Sequence, residues 1–370
     1  MHILHSVASI SLKAGGPSYM IARTCQALAD EGHQVTLAVF APFNADENVP
    51  IAHERVKVLE LPHAGGQVLL ADYISETQVD VVHTHGLWEK INRITVAAAR
   101  STARPLVWTP HGMLRPWAMA HKRWKKRLAW WLFQRRHIRQ ACLLQATCEE
   151  EAQELADWLP DSKVEVIPIG IDLPDRSVVT TRASEPRQML FVGRLHPVKG
   201  LMNLVEAIHR LRPEGWICVL AGPDTDGYQP ELVAKIQQYG IERWFEFTGE
   251  VSGAKKDALY QRASLFVLPS FTENFGVVVP EALSFGVPVL TTDVTPWNHL
   301  PEVGCGWSVP VGASPLVEAL KQITEMDPTQ LNQMGEVGCE YVERAFAWPQ
   351  IASKMSELYA VADTRERETL

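Results

Sequence analysis

The chain has 370 residues, of which 46% are apolar and 21% are charged, so it is long enough for two domains with separate cores. Its six cysteines form no Cys-x-x-Cys pair and no cluster with histidine, which predicts free thiols in a reducing compartment. The first residues lack the charged and apolar regions of a signal peptide, and no apolar run has the length of a membrane span. We therefore expect a cytoplasmic protein.

The net charge of −8 conceals an uneven distribution of charged residues. Residues 90–148 contain thirteen Lys and Arg and no Asp or Glu, which leaves 22 basic and 43 acidic residues in the remainder. Such asymmetry predicts a surface that meets an anionic partner.

Short apolar runs alternate with helical patterns in the first half of the chain. The sequence predicts strands at Ile3–Val7, Val35–Phe40, Val79–His83, Leu106–Thr109 and Val164–Ile167. It predicts helices from about Pro17 to Asp30 and from Glu149 to Trp158, the first opened by the turn Gly15-Gly16-Pro17. Residues 174–186 are polar and lack periodicity, which indicates a linker.

The second half repeats this alternation. Strands are predicted at Met189–Val192, Ile217–Ala221, Phe245–Phe247, Leu265–Leu268, Pro288–Thr291 and Trp307–Val309. Helices are predicted around Leu201–Leu211, Gln229–Tyr239 and Ala254–Ala263. The alternation predicts an α/β protein with two parallel sheets, in domains 1–175 and 186–345. A dinucleotide-dependent oxidoreductase would need Gly-x-Gly-x-x-Gly after the first strand, and Ala14-Gly15-Gly16-Pro17 does not fit that pattern.

Two motifs of the second half carry the chemistry. Glu273 and Glu281 stand eight residues apart around Gly276, directly after an apolar strand. Carboxylates only accept hydrogen bonds, and the vicinal diols of sugars are good donors to them. Arg194 and Lys199 follow another strand, and together they suit a diphosphate whose charge grows as a glycosidic bond breaks.

These motifs closely resemble the Glu-x7-Glu and Gly-Arg-x4-Lys-Gly signatures of the retaining GT-B glycosyltransferases of family 4, also called group 1. The resemblance implies two Rossmann-like doubly wound domains facing a cleft, with a final helix at 349–361 packing back on the first domain. It also implies metal-independent transfer of a hexose-type sugar from a nucleoside-diphosphate sugar to a glycan acceptor, in bacterial cell-surface polysaccharide or lipopolysaccharide synthesis. Lipid-linked glycans are among the acceptors that it implies.

The resemblance assigns roles residue by residue. Catalytic roles fall to His111, Glu273, Arg194 and Lys199. The donor sugar nucleotide is expected to contact Gly16, Arg194, Lys199, Glu273, Asn274, Phe275, Gly276 and Glu281. No metal ligand is implied. One departure is Ile169 before Gly170, where the family more often has Asn.

His85 and Trp88 follow a strand of the first half and are candidates for the acceptor pocket, since aromatic faces stack on sugar rings. Their position is the evidence for this, and a structural role in the core is the alternative. His83-Thr84-His85 also suggests a metal site, but acidic ligands are absent nearby and the resembled family needs none.

The segment Met113–Gln140 combines tryptophans with basic residues. Trp117, Ala120, Trp124, Leu128 and Trp131 follow helical spacing, which predicts one amphipathic helix whose apolar stripe packs on the domain. A basic helix with tryptophan is typical of an anionic membrane interface, and we expect peripheral attachment to the inner face of the plasma membrane. A solvated basic helix, or one that binds an anionic acceptor, is the alternative. No nucleic-acid-binding motif is present.

Two other functions compete with sugar transfer. One is a GT-B enzyme that epimerises its nucleotide sugar without an acceptor, and the other is a non-catalytic nucleotide-sugar or polysaccharide-binding module. The basic pair argues against a pure binder, because a binder does not need charge aimed at a departing diphosphate. Substitution of Arg194 or Lys199 is therefore expected to affect turnover more than folding.

Overall fold

The computed structural model describes residues 1–11, 16–44, 46–120, 123–175 and 185–369, excluding the side chains of 17 and 365–369. Its contacts divide the chain into two compact units. Unit 1 comprises Met1–Gly170 with Trp348–Leu370, and unit 2 comprises Ile171–Ala347. Most of the predicted linker, residues 176–184, lies outside the described residues.

Unit 1 contains a seven-stranded parallel sheet in the order β3-β2-β1-β4-β5-β6-β7. Its strands are β1 (His2–Ser6), β2 (Gln34–Phe40), β3 (Val56–Leu61), β4 (Val81–His85), β5 (Leu106–Thr109), β6 (Leu143–Ala146) and β7 (Val164–Val166). The helices are α1 (Gly16–Asp30), α2 (Gly66–Glu76), α3 (Lys90–Ser101), α4 (Pro116–Ala120), α5 (Arg123–Ala129), α6 (Arg135–Ile138) and α7 (Glu149–Trp158).

Unit 2 contains a six-stranded parallel sheet in the order β10-β9-β8-β11-β12-β13. Its strands are β8 (Arg187–Val192), β9 (Trp216–Ala221), β10 (Phe245–Gly249), β11 (Ala263–Leu268), β12 (Val289–Thr292) and β13 (Gly306–Val309). The helices are α8 (Leu201–Leu211), α9 (Gln229–Tyr239), α10 (Gly253–Arg262), α11 (Val278–Ser284), α12 (Leu300–Val303), α13 (Ala313–Glu325) and α14 (Pro328–Phe346).

Both sheets are doubly wound, which confirms the predicted fold class. Each runs outward from its first strand, reverses direction, and places the fourth strand of the unit beside the first. In such sheets ligands bind outside the carboxyl ends of the strands at this point of reversal. It lies between β1 and β4 in unit 1 and between β8 and β11 in unit 2.

The last helix, α15 (Trp348–Thr369), belongs to unit 1. Its residues Trp348, Ile351, Met355 and Tyr359 are buried in the same core as Ile3, Val81, Val107 and Leu143 of the sheet and most of the apolar face of α1. The helix is longer than the predicted 349–361 and continues to Thr369. Pro349 falls in the first turn, where its missing N–H has no helical partner to lose.

The basic segment differs from its prediction. Its described residues form α4 and then α5, a π-helical turn at Trp130–Gln134 and α6, which follow one another without a gap, while residues 121–122 lie outside the described residues. Trp130, the first residue of this turn, is buried in the core together with Met119 and Ile138. The prediction that the apolar stripe packs on the domain was wrong, because its large members are exposed, namely Trp117, Trp124, Leu128 and Trp131.

Candidate active site

The site in unit 2 lies at the carboxyl ends of the neighbouring strands β8 and β11. Arg194 and Lys199 belong to the loop after β8, and Glu273 belongs to the loop after β11. The structure therefore brings two parts of the chain that are far apart in sequence to the point where the sheet reverses.

The two loops are joined by backbone contacts. The Phe271 N–H donates to the Val198 carbonyl at 2.8 Å. Gly200 has a φ of +66°, and a Cβ atom there would lie 1.9 Å from the Pro269 carbonyl oxygen. Only glycine permits both this conformation and this approach, which explains why the basic motif ends in glycine.

Lys199 and Glu273 form a short ion pair with 2.5 Å between Nζ and Oε1. Their side chains are 17% and 9% exposed, so most of the pair is shielded from water. Ser270 also donates to Glu273 Oε1 at 2.7 Å. Glu273 is thus held in one orientation by two donors, and Lys199 is placed by Glu273.

Arg194 is far less constrained. Its Nη1 lies 3.8 Å from Asp226 Oδ2, and the two side chains are 50% and 48% exposed. An exposed ion pair at that distance contributes little to stability, so the planar guanidinium remains available to bind an anion such as a diphosphate. Asp226 and Asp224 have the Asp-x-Asp spacing of some metal–diphosphate sites. Asp224, however, accepts a hydrogen bond from the Tyr228 N–H at 2.7 Å and so stabilises the loop in which it lies.

The loop from Glu273 to Gly276 is held in place by buried aromatic side chains. Phe275 is buried against Trp297, and its carbonyl accepts the indole N–H of Trp297 at 2.5 Å. Gly276 has a φ of +75°, and a Cβ there would lie 3.3 Å from the same indole nitrogen. Phe275 therefore serves the predicted site by fixing the loop and not by presenting its ring to a ligand. Asn274, which lies between Glu273 and Phe275 in the sequence, is half-buried.

Glu281 stands in the first turn of α11. Lys256 Nζ donates to its Oε1 at 2.8 Å, and Tyr260 Oη donates to its Oε2 at 2.9 Å. Burial and the neighbouring carboxylate raise the pKa of Tyr260 well above its ordinary value, which keeps this hydroxyl a donor. The carboxylate is 21% exposed, so lone pairs remain for the hydroxyls of a ligand.

Of the predicted site residues of unit 1, His85 ends β4, Trp88 follows β4, His111 follows β5 and Gly16 begins α1. His111 and Gly112 both have positive φ values, +55° and +69°. The Gly112 N–H donates to the buried carboxylate of Glu151, which also accepts the N–H and hydroxyl of Thr147. A histidine in this backbone conformation is uncommon, and such strain is typical of functional positions.

His111 and His85 are brought together, with 3.0 Å between His111 Nε2 and His85 Nδ1. His85 also contacts His5, with 2.8 Å between His85 Nε2 and His5 Nδ1. Tyr359 Oη lies 3.3 Å from His5 Nε2 and 2.8 Å from His83 Nδ1. His5 and His83 are register partners on β1 and β4, so these rings share one face of the sheet, which α15 covers.

Burial keeps these imidazoles neutral. Desolvation lowers the pKa of His5 to about 3 and that of His111 to about 4. The pKa values of His83 and His85 are lowered well below the ordinary value, first by desolvation and then by the neighbouring rings. None of the four is a cation near neutral pH.

Trp88 and Gly16 differ from the other candidates. Trp88 has a φ of +72° and packs edge-on to the buried Trp130, with 6.4 Å between ring centroids. Its backbone N–H lies 3.4 Å from Gln134 Oε1, so Trp88 anchors the basic segment as well as standing near His85. Gly16 is the exposed first residue of α1, and Gly15 lies outside the described residues.

Sequence profiles place both halves of the chain in one family. The family described as "Glycosyl transferases group 1" matches residues 175–338, and a "Glycosyl transferase 4-like domain" matches residues 15–170. The chain belongs to the group 1 GT-B glycosyltransferases. The matched ranges contain every predicted site residue.

Relatives and solved structures agree with this assignment. The D-inositol 3-phosphate glycosyltransferase of Corynebacterium glutamicum is 28% identical over 61% of the chain, and the match spans 59% of that relative. Sucrose-phosphate synthase of Thermosynechococcus elongatus has a TM-score of 0.73 at 21% identity, covering 97% of this chain and 98% of that one. Anabaena HepE, solved with UDP and glucose, has a TM-score of 0.74 at 20% identity, covering 98% and 100%.

Sequence reasoning missed several residues of this glycosyltransferase that hold the site in place. In unit 2 these are Ser270, Lys256, Tyr260 and Trp297, which contact the two glutamates and their loop. In unit 1 they are His5, Glu151 and Tyr359, together with His83, which the sequence analysis considered only as a possible metal ligand. His5 and His83 had a detectable signal, since a polar residue inside an otherwise apolar buried strand needs a partner.

Replacing Gly200 with alanine is expected to destabilise unit 2 strongly. The new methyl group would overlap the Pro269 carbonyl, so we expect a loss of at least about 3 kcal/mol in the free energy of unfolding. Gly240→Ala is a matched control, because Gly240 has a φ of +61° and nothing within 4 Å of the added atom. Its expected cost is about 1 kcal/mol. Equal costs in urea unfolding would contradict the close approach of the two loops.

Proposed function

We propose that this glycosyltransferase moves a hexose-type sugar from a nucleoside-diphosphate sugar to a glycan acceptor with retention of anomeric configuration. The bond between the anomeric carbon and the diphosphate breaks, and the nucleoside diphosphate leaves with the bonding electrons. The acceptor hydroxyl oxygen forms the new bond and releases its proton. The pathway we propose is bacterial cell-surface polysaccharide or lipopolysaccharide synthesis.

The observation that carries the proposal is the pairing of the two loops at the reversal point of unit 2. Lys199 is held by Glu273 while Arg194 stands half-exposed in the same loop, and we propose that both cations bind one diphosphate. A diphosphate gains charge as it departs, and fixed cations stabilise that charge most in the transition state. Because Arg194 and Lys199 supply positive charge, we propose that transfer needs no metal ion. HepE, which was solved with UDP and glucose, supports the ligand class.

Glu281 is proposed to hold the ribose hydroxyls and Glu273 to lie beside the transferred hexose. Binding by Glu281 should be similar in the ground and transition states, so Glu281→Gln is expected to raise KM with little change in turnover. Glu273→Gln is expected mainly to lower turnover. Initial rates over a range of donor concentrations separate the two effects, and the reverse pattern would exchange the two roles.

The competing functions are separated by product analysis. A panel of nucleoside-diphosphate sugars is incubated with the protein alone and with glycan acceptors, in the presence and absence of EDTA. We expect a new glycoside whose anomeric proton coupling matches that of the donor, with EDTA having no effect. A changed sugar nucleotide formed without acceptor would indicate an epimerase. Binding without any product would indicate a non-catalytic module.

We further propose that the basic segment attaches the enzyme to an anionic membrane. Trp124 and Trp131 are 85% and 70% exposed, and Leu128 and Leu132 are also exposed. Exposed Lys125 and Arg127 lie among them, which combines apolar insertion with attraction to anionic lipid. Among the described residues no helix has the length and apolar character needed to cross a bilayer.

The double variant Trp124→Ser/Trp131→Ser is expected to lower binding to vesicles containing phosphatidylglycerol by about tenfold or more. Val68→Ser/Leu69→Ser is the matched control, because these side chains are 64% and 40% exposed on another helix of unit 1. Co-sedimentation at low and high salt gives the measurement. Binding that ignores lipid charge and salt, or that both double variants reduce equally, would contradict a membrane role.

A further inference from the structure

A line of hydrogen bonds crosses the sheet of unit 1 and ends at His111. It consists of polar side chains on one face of the sheet together with Tyr359 of α15. We call it the histidine chain, and its members in bonding order are Gln145, Thr109, His83, Tyr359, His5, His85 and His111. Because every member has a limited number of protons, the direction of each bond follows from its neighbour.

The direction is set at Gln145. Its Nε2 donates to the Ile167 carbonyl at 2.9 Å, and a carbonyl can only accept, so Oε1 faces Thr109. The Thr109 hydroxyl donates its one proton to that oxygen at 2.7 Å. Thr109 must then accept the 2.7 Å bond from His83, which places the His83 proton on Nε2.

The remaining bonds toward His111 take their direction in the same way. Neutral His83 has no proton left for Nδ1, so it accepts from the Tyr359 hydroxyl, and Tyr359 in turn accepts from His5 Nε2. Burial raises the pKa of Tyr359 well above its ordinary value, so the phenol keeps that proton. His5 Nδ1 must accept from His85 Nε2, and His85 Nδ1 must accept from His111 Nε2.

His111 therefore carries its proton on Nε2 and a lone pair on Nδ1. That Nδ1 is buried and has no partner within the described part of the chain, while the residue as a whole is only half-buried. An acceptor left without a donor is unfavourable, and an O–H group satisfies it. The strained turn held by Glu151 fixes where the ring stands.

We propose that the histidine chain fixes His111 in the Nε2–H tautomer, so that its Nδ1 is an obligate acceptor for a hydroxyl of the sugar substrate. The members behind His111 are positioning residues, and His111 acts by accepting a hydrogen bond and not as an acid. The substrate group at this point must be a donor, which favours a neutral hydroxylated sugar over one with a carboxylate or phosphate there. The identity of the hydroxyl rests on the proposed function, but the tautomer does not.

The tautomer is tested without any substrate. The full chain is labelled with ¹⁵N-histidine, and long-range ¹H–¹⁵N spectra at pH 7.5 are assigned with His111→Gln. We expect a protonated Nε2 and an unprotonated Nδ1 for His111. A protonated Nδ1, or a cationic ring, would overturn the proposal.

Tyr359→Phe tests whether the chain imposes this state. Loss of the hydroxyl leaves His5, His85 and His111 with one unsatisfied donor and one unsatisfied acceptor in either bond direction, so His111 and His85 are expected to show both tautomers. Transfer should fall about twofold or more in kcat/KM, since a fraction of molecules holds the wrong tautomer. Tyr73→Phe is the control, because Tyr73 bonds to Thr36 outside the chain. An unchanged His111 spectrum in Tyr359→Phe would overturn the proposal. If Tyr359→Phe does not fold, Thr109→Val replaces it in the same experiment, because it interrupts the histidine chain at another member.

A bound metal ion would disrupt the hydrogen bonds of the histidine chain and their directions. His5, His83 and His85 offer ligand atoms within 4.8 Å of one another, so zinc is a competing occupant of this cluster. The full chain is dialysed against EDTA and its zinc content is then measured. We expect no retained zinc, and retention of one equivalent would overturn the proposal.

Deoxyfluoro donors and acceptors distinguish a sugar hydroxyl from water at His111 Nδ1, since fluorine cannot donate a hydrogen bond. We expect about a tenfold loss of kcat/KM at one sugar position in the wild type and a smaller loss in Tyr359→Phe. If no position is sensitive to fluorine, the assignment to a sugar hydroxyl is overturned, whereas the tautomer is decided by the spectra alone.

Discussion

Replacing Lys199 with methionine is expected to lower turnover by about 10²–10³-fold, the effect of losing one donor to a developing anion. The same change should lower the free energy of unfolding of unit 2 by about 3 kcal/mol, because it leaves the carboxylate of Glu273 shielded without its cation. The sequence alone suggested little effect on folding, and the structure revises that expectation for Lys199.

Arg194→Gln is the matched comparison. Its ion pair with Asp226 is long and half-exposed, so the thermal midpoint should stay unchanged while turnover falls by a similar factor. The double variant Lys199→Met/Glu273→Gln should regain much of the lost stability without regaining activity, since the buried charge is removed with its partner. Near-normal turnover in both single variants would remove the diphosphate assignment.

Acid is expected to unfold unit 1 well before it unfolds a protein without buried histidines. Each imidazole of the cluster takes up a proton more readily when unfolded, near pH 6.5, than when folded. Because the folded pKa values are lowered, the stability contributed by the neutral rings is complete above pH 6.5 and is lost as the pH falls. From pH 7.5 to 5.5 the loss is about 1.4 kcal/mol for each histidine, and up to about 5.5 kcal/mol for the four.

Urea unfolding at pH 7.5, 6.5 and 5.5 measures this slope. His85→Gln removes one titrating ring and should reduce the slope by about a quarter, while His63→Gln, at an exposed position, should leave it unchanged. A midpoint that does not move between pH 7.5 and 5.5 would show that the four rings are not buried and neutral.

Much of unit 2 could be predicted because its information is local. Short apolar runs such as Leu265–Leu268 indicate buried strands, and the helix Leu201–Leu211 was predicted with its observed bounds. The motif residues lie directly after those strands, so their placement at the sheet edge followed from parallel topology. The strands β3 and β6 were not predicted, because β3 is a half-exposed edge strand carrying Lys57 and Glu60, and β6 (Leu-Leu-Gln-Ala) contains a polar residue and no β-branched or aromatic one.

The histidine chain could not be predicted, because it depends on contacts between distant parts of the sequence. His5 and His83 meet only through the register of β1 and β4, and Tyr359 arrives from the last helix. The exposed tryptophans were misjudged for a similar reason. Helical spacing identifies a stripe but not which side faces the core, and the structure buries Trp130 while Trp131 is exposed.

Calorimetric titration with nucleoside diphosphates tests the central claim most directly, because it asks whether unit 2 holds this ligand before any acceptor is known. We predict that at least one nucleoside diphosphate binds, and that the matching nucleoside binds far more weakly. Arg194→Gln should weaken diphosphate binding by about 10–100-fold, the worth of a charge-assisted bond. Absence of binding by every nucleoside diphosphate, or binding that Arg194→Gln leaves unchanged, would contradict a diphosphate site in unit 2.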